Sequence, residues 1–295
     1  MSTQPSQLSR RKALAIGAAG VAGIAAGAAG SLAAHQSGAP APDQRFAGKV
    51  ALITGATSGI GEATARAMAA RGAKVFFCGR RAELGRRVEA DIRAAGGDAT
   101  YRRADVRHEP EVRDLVAACV DRYQRLDIAL NNAGIESPRA ARLHEQTLED
   151  LELVWRTNTA GVFLAMKYEI PRMLAAGGGV IINTASISAE VGFATIAPSN
   201  ASKHGVLSLT RVAALEYAAA GIRVNAFAPG AVDTPMLRRA AAAFGVSYEQ
   251  IAQDYPVRRI VRAEEMASVV MWLASDEAGA VHGADVDASG GYLAG

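Results

Sequence analysis

Cysteine is scarce in this chain: Cys78 and Cys119 are the two in 295 residues. That excludes the disulfide framework that staples small secreted domains, and both fall in apolar stretches where buried free thiols are expected. Aromatic residues are few, at 5%, although half of the chain is hydrophobic. A surplus of charge is missing from most of the length. The formal net charge of +3 is carried by the first 45 residues, where Arg10, Arg11, Lys12 and Arg45 stand against Asp43. The remainder is balanced, which excludes a basic nucleic-acid surface and assigns the high pI to the amino terminus. No repeat and no second core is visible, so the length suits one α/β domain of about 250 residues behind a leader.

The leader is residues 1–45, and the domain is 46–295. Ser9-Arg10-Arg11-Lys12 precedes a Gly/Ala-rich apolar run from Ala13 to Ala34, followed by a polar stretch to Gln44. A positive end, a weakly apolar middle and small residues describe an export signal, and the adjacent arginines point to the twin-arginine route. Ser31-Leu32-Ala33 and Ala39-Pro40-Ala41 both fit a small-x-small cleavage site. The alternative is an uncleaved membrane anchor, since the run is nearly long enough to span. Its glycines and alanines make a poor span, so the expectation is a periplasmic or otherwise extracytoplasmic protein, free of the membrane once the signal is removed. No cysteine lies nearby to take a lipid.

The most informative residues present are Thr54-Gly55-Ala56-Thr57-Ser58-Gly59-Ile60-Gly61. They follow the apolar run Val50-Ala51-Leu52-Ile53 and precede Ala63, Ala67, Met68 and Ala70 at helical spacing. A glycine-rich turn between strand and helix predicts a phosphate site. Glycine lets a pyrophosphate approach the backbone, and the helix start offers unpaired N–H groups. The spacing is Gly-x-x-x-Gly-x-Gly rather than Gly-x-Gly-x-x-Gly.

Strand-like runs recur at 50–54, 74–78, 99–104, 128–131, 180–184, 223–228 and 284–287. Helical segments fall at 60–71, 82–95, 109–124, 148–175, 200–220 and 263–274. This alternation predicts an α/β fold, a doubly wound Rossmann-type parallel sheet of about seven strands with helices on both faces. Residues 233–255 read as an insertion with short helices that could lie over a substrate. Ligands in such sheets bind beyond the carboxyl ends of the strands. Gly55, Arg80, Asp105, Asn131, Ser186 and Pro229 all fall there. Asn131 itself reads as a sheet-end hydrogen-bonding residue.

The glycine loop, Asn131-Asn132-Ala133-Gly134, Asn158, Ser186, Ser199-Asn200-Ala201-Ser202-Lys203 and Pro229-Gly230-Ala231-Val232-Asp233-Thr234 together resemble the short-chain dehydrogenase/reductase family. They occur in its order and at its spacing, from about Phe46 to Gly295. The resemblance implies a nicotinamide cofactor on Gly55, Thr57, Ser58, Gly59, Ile60 and Gly61. Asp105 and Val106 would lie near the adenine, Asn132 and Gly134 on the floor, and Pro229, Val232 and Thr234 near the nicotinamide or pyrophosphate. Where an NAD enzyme carries an acid, about twenty residues past the glycine loop, this chain has Gly79-Arg80-Arg81. Two guanidiniums suit the 2′-phosphate of NADP, Arg80 being the better placed, so NADP is expected over NAD.

By the same resemblance, Asn158 anchors a proton-relay water, Ser186 binds the substrate oxygen, and Lys203 holds the ribose and lowers the pKa of a tyrosine four residues before it. That position is Ser199, and no tyrosine lies between Tyr168 and Tyr217. A serine hydroxyl is far less acidic than a phenol and a ring's length shorter. The implied activity is therefore an NAD(P)-dependent oxidation of a secondary alcohol or reduction of a ketone, impaired or altered at its proton-transfer step, with Asn158, Ser186, Ser199 and Lys203 as catalytic candidates. The alternative is a non-catalytic NADP(H)-binding protein. His204 reads as a surface residue, since its side chain points about 100° from that of Lys203 on a helix. Ile187, Glu190, Phe193 and Met236 are candidates for the substrate pocket. The resemblance implies that the Ala- and Leu-rich helices at 148–175 and 200–220 form the seam of a homodimer or homotetramer, the alternative being that such helices pack inside one subunit.

Overall fold

The computed structural model describes residues 43–295, so the export signal assigned to the amino terminus lies outside the described residues. The chain runs β1 (Val50–Ile53), α1 (Gly59–Ala69), β2 (Lys74–Gly79), α2 (Ala82–Ala94), β3 (Asp98–Arg103), α3 (Glu109–Tyr123) and β4 (Ile128–Asn131). It continues through α4 (Leu148–Trp155), α5 (Gly161–Ala175), β5 (Gly179–Thr184), α6 (Ala197–Tyr217) and β6 (Ile222–Pro229). The last part holds β7 (Val232–Asp233), α7 (Pro235–Phe244), α8 (Tyr248–Gln253), β8 (Val261–Arg262), α9 (Ala263–Ala274) and β9 (Asp285–Ala288). Seven strands form one sheet in the order β3-β2-β1-β4-β5-β6-β9, and every pairing is parallel. Among the described residues no helix is long and apolar enough to cross a membrane.

Helices cover both faces because the strands are apolar on both. Ala51, Ile53, Val75 and Phe77 point to one side, against Met68 of α1 and Val270 and Leu273 of α9. Val50, Leu52, Phe76 and Cys78 point to the other, against Cys119 of α3, Met166 of α5 and Val206 of α6. This is the period-2 alternation of a strand, and burying each large apolar side chain stabilises the fold by about 1.5–3 kcal/mol. Cys78 and Cys119 are buried free thiols, and burial pushes both up to about 12.

All seven main strands lie within two residues of the expected positions. Two features differ. The helix expected over 148–175 is interrupted at Arg156–Ala160 by one π turn. There Thr157 Oγ1 donates to Leu153 O at 2.8 Å and Thr159 Oγ1 donates to Ser202 O at 2.8 Å. These side-chain bonds hold open a wider turn that apolar periodicity does not register. The second difference is the β7–β8 pair, two residues per strand, too short to leave an alternation pattern.

Asn131 ends β4 with its side chain inside the fold, as a sheet-end residue should. Its Nδ2 donates to Glu169 Oε2 at 3.1 Å and to Asn183 Oδ1 at 3.0 Å, and Asn183 Nδ2 donates to Thr210 Oγ1 at 3.0 Å. Glu169 is fully buried, and burial pushes its carboxyl up to about 7, a rise the Asn131 hydrogen bond only partly offsets. The folded chain thus holds this proton more tightly than the unfolded chain. Its stabilising contribution is complete below about 4.5 and is lost as pH rises through about 7. Glu169→Gln is expected to remove a loss of about 1.4 kcal/mol per pH unit across that window. Urea midpoints of both proteins at pH 5 and pH 8 check this, and an equal change in the two would overturn it.

Candidate active site

One cavity of about 870 Å³ opens beyond the carboxyl ends of the strands. It takes in Gly55 after β1, Gly79 at the end of β2 with Arg80 and Arg81 after it, Asp105 and Val106 after β3, and Asn132 and Gly134 after β4. Thr184, Ser186, Ser199 and Lys203 close its inner end, and Pro229, Val232 and Thr234 its roof. The sheet order reverses between β1 and β4, where such folds open a crevice.

The glycine loop is shaped for backbone approach. Gly55 has φ +70°, and a Cβ there would stand 2.7 Å from Ala133 Cα. Gly59 has φ +61° and faces Thr234 across the loop. Ser58 precedes α1 without a side-chain cap bond. Its hydroxyl instead accepts from Arg81 Nη2 at 2.6 Å, while Thr57 Oγ1 accepts from the same nitrogen at 3.0 Å. The first amides of α1 therefore face the cavity without a side-chain partner, the arrangement a phosphate needs. The residues fit a dinucleotide.

Some expected roles need correction. Gly61 does not line the cavity. A Cβ there would meet Asn132 Nδ2 at 2.6 Å and Gly55 O at 2.7 Å, so it is a packing glycine. Asn158 does not line the cavity either. Its Oδ1 accepts from Ile135 N at 2.8 Å, and its Nδ2 donates to Ile135 O and Ser202 Oγ, each at 3.0 Å. It sits in the π turn and positions the loop after β4 against α6. Asn132 reaches the cavity but commits its amide to Thr54 O and Gly55 O, both at 3.2 Å, which fixes the glycine loop. Arg80 and Arg81 both line the cleft, but Arg81 is the one held against the loop hydroxyls, a contact that spacing along the chain does not predict.

The acid missing after β2 has a steric reason. A Cβ on Gly79 would lie 2.6 Å from Thr57 Cγ2, so a carboxylate side chain cannot stand there while Thr57 holds its place. Asp105 reaches the cavity; burial opposes its ionisation, but Arg107, bound at 2.6–3.1 Å, holds it below the usual carboxylate range.

At the inner end, Lys203 Nζ donates to Thr184 O at 2.6 Å, and burial pushes its ammonium down to about 8. Ser186 Oγ accepts from Ser188 N at 3.2 Å, and Ser199 N donates to Ser137 Oγ at 3.2 Å. Ser199, Ser186 and Lys203 thus share the cleft, while His204 is exposed and bonded to Asn200 O at 2.9 Å, as expected.

Of the four residues expected in the substrate pocket, Met236 lines the cavity. Ile187 is buried against Ala231 and Tyr255, Glu190 is exposed near Arg211 at 3.8 Å, and Phe193 packs on Tyr292. The walls are instead Ile135, Pro138 and Ala140 from the loop after β4, and Leu237, Ala240 and Phe244 from α7. The α7 residues fall within the 233–255 segment expected over the substrate, whereas the irregular loop after β4 carries no periodicity by which to find its wall. Among the described residues no cluster of His, Cys, Asp and Glu could hold a metal ion.

Comparison with known proteins agrees with this geometry. A family model described as enoyl-(acyl carrier protein) reductase matches residues 55–293. The chain is 42% identical over 251 residues to cis-4-hydroxycyclohexanecarboxylate dehydrogenase of Sinomonas cyclohexanicum, covering 85% of this chain and 99% of that one. It is 39% identical over 248 residues to cyclohexanol dehydrogenase of Acinetobacter sp. (strain SE19), covering 84% and 96%. The crystal structure of levodione reductase superposes with a TM-score of 0.82 at 36% identity, covering 85% of this chain and 99% of the other. The chain belongs to the short-chain dehydrogenase/reductase family and is an oxidoreductase of that type, built to use NAD or NADP.

Proposed function

We propose that this protein interconverts a secondary alcohol and a ketone on an alicyclic ring with NADP(H), and that its proton transfer runs without a tyrosine at position 199. One observation carries the reading: a single cleft joins the glycine cradle, flanked by Arg80 and Arg81, to Ser186, Ser199 and Lys203. The walls from Ile135, Pro138, Leu237 and Phe244 suit an apolar ring. Two relatives, named for cyclohexanol and for a hydroxycyclohexanecarboxylate, support that class.

When bound, the nicotinamide supplies or takes the hydride. The chain's own residues do the rest. The amides at the start of α1 face the pyrophosphate, and Arg81, braced on Thr57 and Ser58, answers the 2′-phosphate. Ser186 Oγ–H orients the substrate oxygen. We propose in addition that the protein is exported by the twin-arginine route, on the residues from Ser9 to Ala34, and assembles as a homo-oligomer. Exposed Trp155, Phe163, Val212 and Leu215 on and beside α5 and α6 suit such a seam.

Fluorescence titration with NADPH and NADH, followed by turnover on cyclohexanone-type ketones, tests the proposal. Arg81→Ala is expected to weaken NADPH by about 10–100-fold, the 1.5–3 kcal/mol of a charged hydrogen bond, while NADH changes little. Equal losses for both nucleotides would overturn the assignment of Arg81, and binding with no turnover on any ketone would favour a nucleotide-holding protein.

A further inference from the structure

The inner end of the cleft contains one titratable side chain. Of the ionisable residues lining the cavity, Cys78 is a buried thiol pushed up to about 12, Asp105 is bound to Arg107, Glu136 pairs with Arg239 at 3.0 Å, and Arg139 is held by Asp150 at 2.8 Å. Arg80 and Arg81 stand beside the glycine loop. Lys203 alone lies among Thr184, Ser186 and Ser199.

Ser199 and Lys203 are four residues apart on α6 and so share one face of it. Both line the cavity, and a side chain as short as serine puts no ring between the Lys203 ammonium and the cavity. That ammonium has three N–H donors and gives one to Thr184 O, so two remain for the cavity. Thr184 Oγ1 beside it is buried without a hydrogen-bond partner. A proton exchanged here has one titratable source.

Resting on the function proposed above, we infer that Lys203 is itself the acid–base group, its Nζ exchanging the proton with the substrate oxygen across one water held beside Ser199. In the reducing direction the carbonyl carbon gains a hydride and the C=O π pair moves onto oxygen. The water gives that oxygen a proton and takes one from Lys203 Nζ, whose N–H bonding pair remains on nitrogen as the lone pair of a neutral amine. Solvent then returns the proton; oxidation runs each step backwards. Burial places the ammonium near 8, where both forms exist at working pH, as a general acid–base requires. The carboxylate facing it is Asp285 on β9, which partly opposes that fall. Burial and nearby Glu190 push Asp285 up to about 6, and Arg211 offsets part of that rise.

Two measurements on the full chain decide the matter. Trace acetylation of the nucleotide-free protein with acetic anhydride, read by mass spectrometry, should show Lys203 gaining reactivity through a midpoint near 8, well below the surface lysines. Ser199→Tyr should slow that labelling several-fold by covering the amine. In turnover, kcat/KM for ketone reduction should be level below about pH 8 and fall above it, and that for alcohol oxidation should rise through the same pH. A Lys203 that titrates with the surface lysines, or a reduction rate level to pH 10, would overturn the assignment. Absence of turnover on every ketone, with the midpoint near 8 and the slowing by Ser199→Tyr both observed, would overturn the proposed function and the acid–base role with it, leaving only a lysine that lines the cavity.

Discussion

Ser199→Tyr is expected to raise turnover by about 10²–10⁴-fold, with NADPH affinity little changed. A positioned acid or base contributes about that factor, or roughly 3–5 kcal/mol of barrier. On the proposed function, the Ser199 hydroxyl is too short and too weakly acidic to do this directly, and the proton travels through a water. The substituted phenol would reach the substrate oxygen, and Lys203, four residues on, would sit against it and hold it in its ionisable range. The Ser199 amide already donates to Ser137 Oγ at 3.2 Å, and the position lines the cavity, so the ring has open space to enter. Measured kcat on a cyclohexanone-type substrate, beside fluorescence titration with NADPH, checks both halves. Unchanged turnover with intact binding would mean that the serine is no handicap, and that the relay through Lys203 already works at full rate.

Much of this cleft was legible in the amino-acid order, because its parts obey local rules. Strand runs such as Val50–Ile53 are apolar on both faces, and glycines mark where backbone must approach a ligand. Ser186, Ser199 and Lys203 are grouped by the resemblance to the short-chain dehydrogenase/reductase family, and the structure lines one cavity with all three. The failures have a common cause. Asn158 and Gly61 carry family positions, yet their contacts are with the protein itself, Ile135 and Ser202 in one case and Asn132 in the other. Motif spacing records that a residue is needed there, not whether it faces the ligand or supports a neighbour that does. The bonds from Arg81 to Thr57 and Ser58 span 24 and 23 residues, so spacing along the chain does not register them. The wall from Ile135 to Ala140 left no signal, being irregular loop, whereas Leu237 to Phe244 fall within the 233–255 segment expected to lie over a substrate.

Gly55→Ala should abolish measurable NADPH binding and destabilise the fold by about 2–5 kcal/mol, the sum of a left-handed backbone forced on an L-residue and an overpacked contact. Two faults coincide at this position. Its φ of +70° is one that alanine adopts only with strain, and its new Cβ would stand 2.7 Å from Ala133 Cα and 2.9 Å from Ala133 N. Both are backbone atoms, so no side-chain rotation relieves the contact. Either β4 moves away from β1 or the loop changes its turn, and each moves the amides at the start of α1. Gly192→Ala is the control, since a Cβ there meets nothing within 4 Å and Gly192 lies outside the cleft. It should change stability by less than about 1 kcal/mol and leave binding intact. Thermal unfolding and NADPH titration of the two variants separate a loop that must be glycine from one that merely is. Binding retained by Gly55→Ala would show that the nucleotide does not need this backbone, and with it the cradle would lose its role.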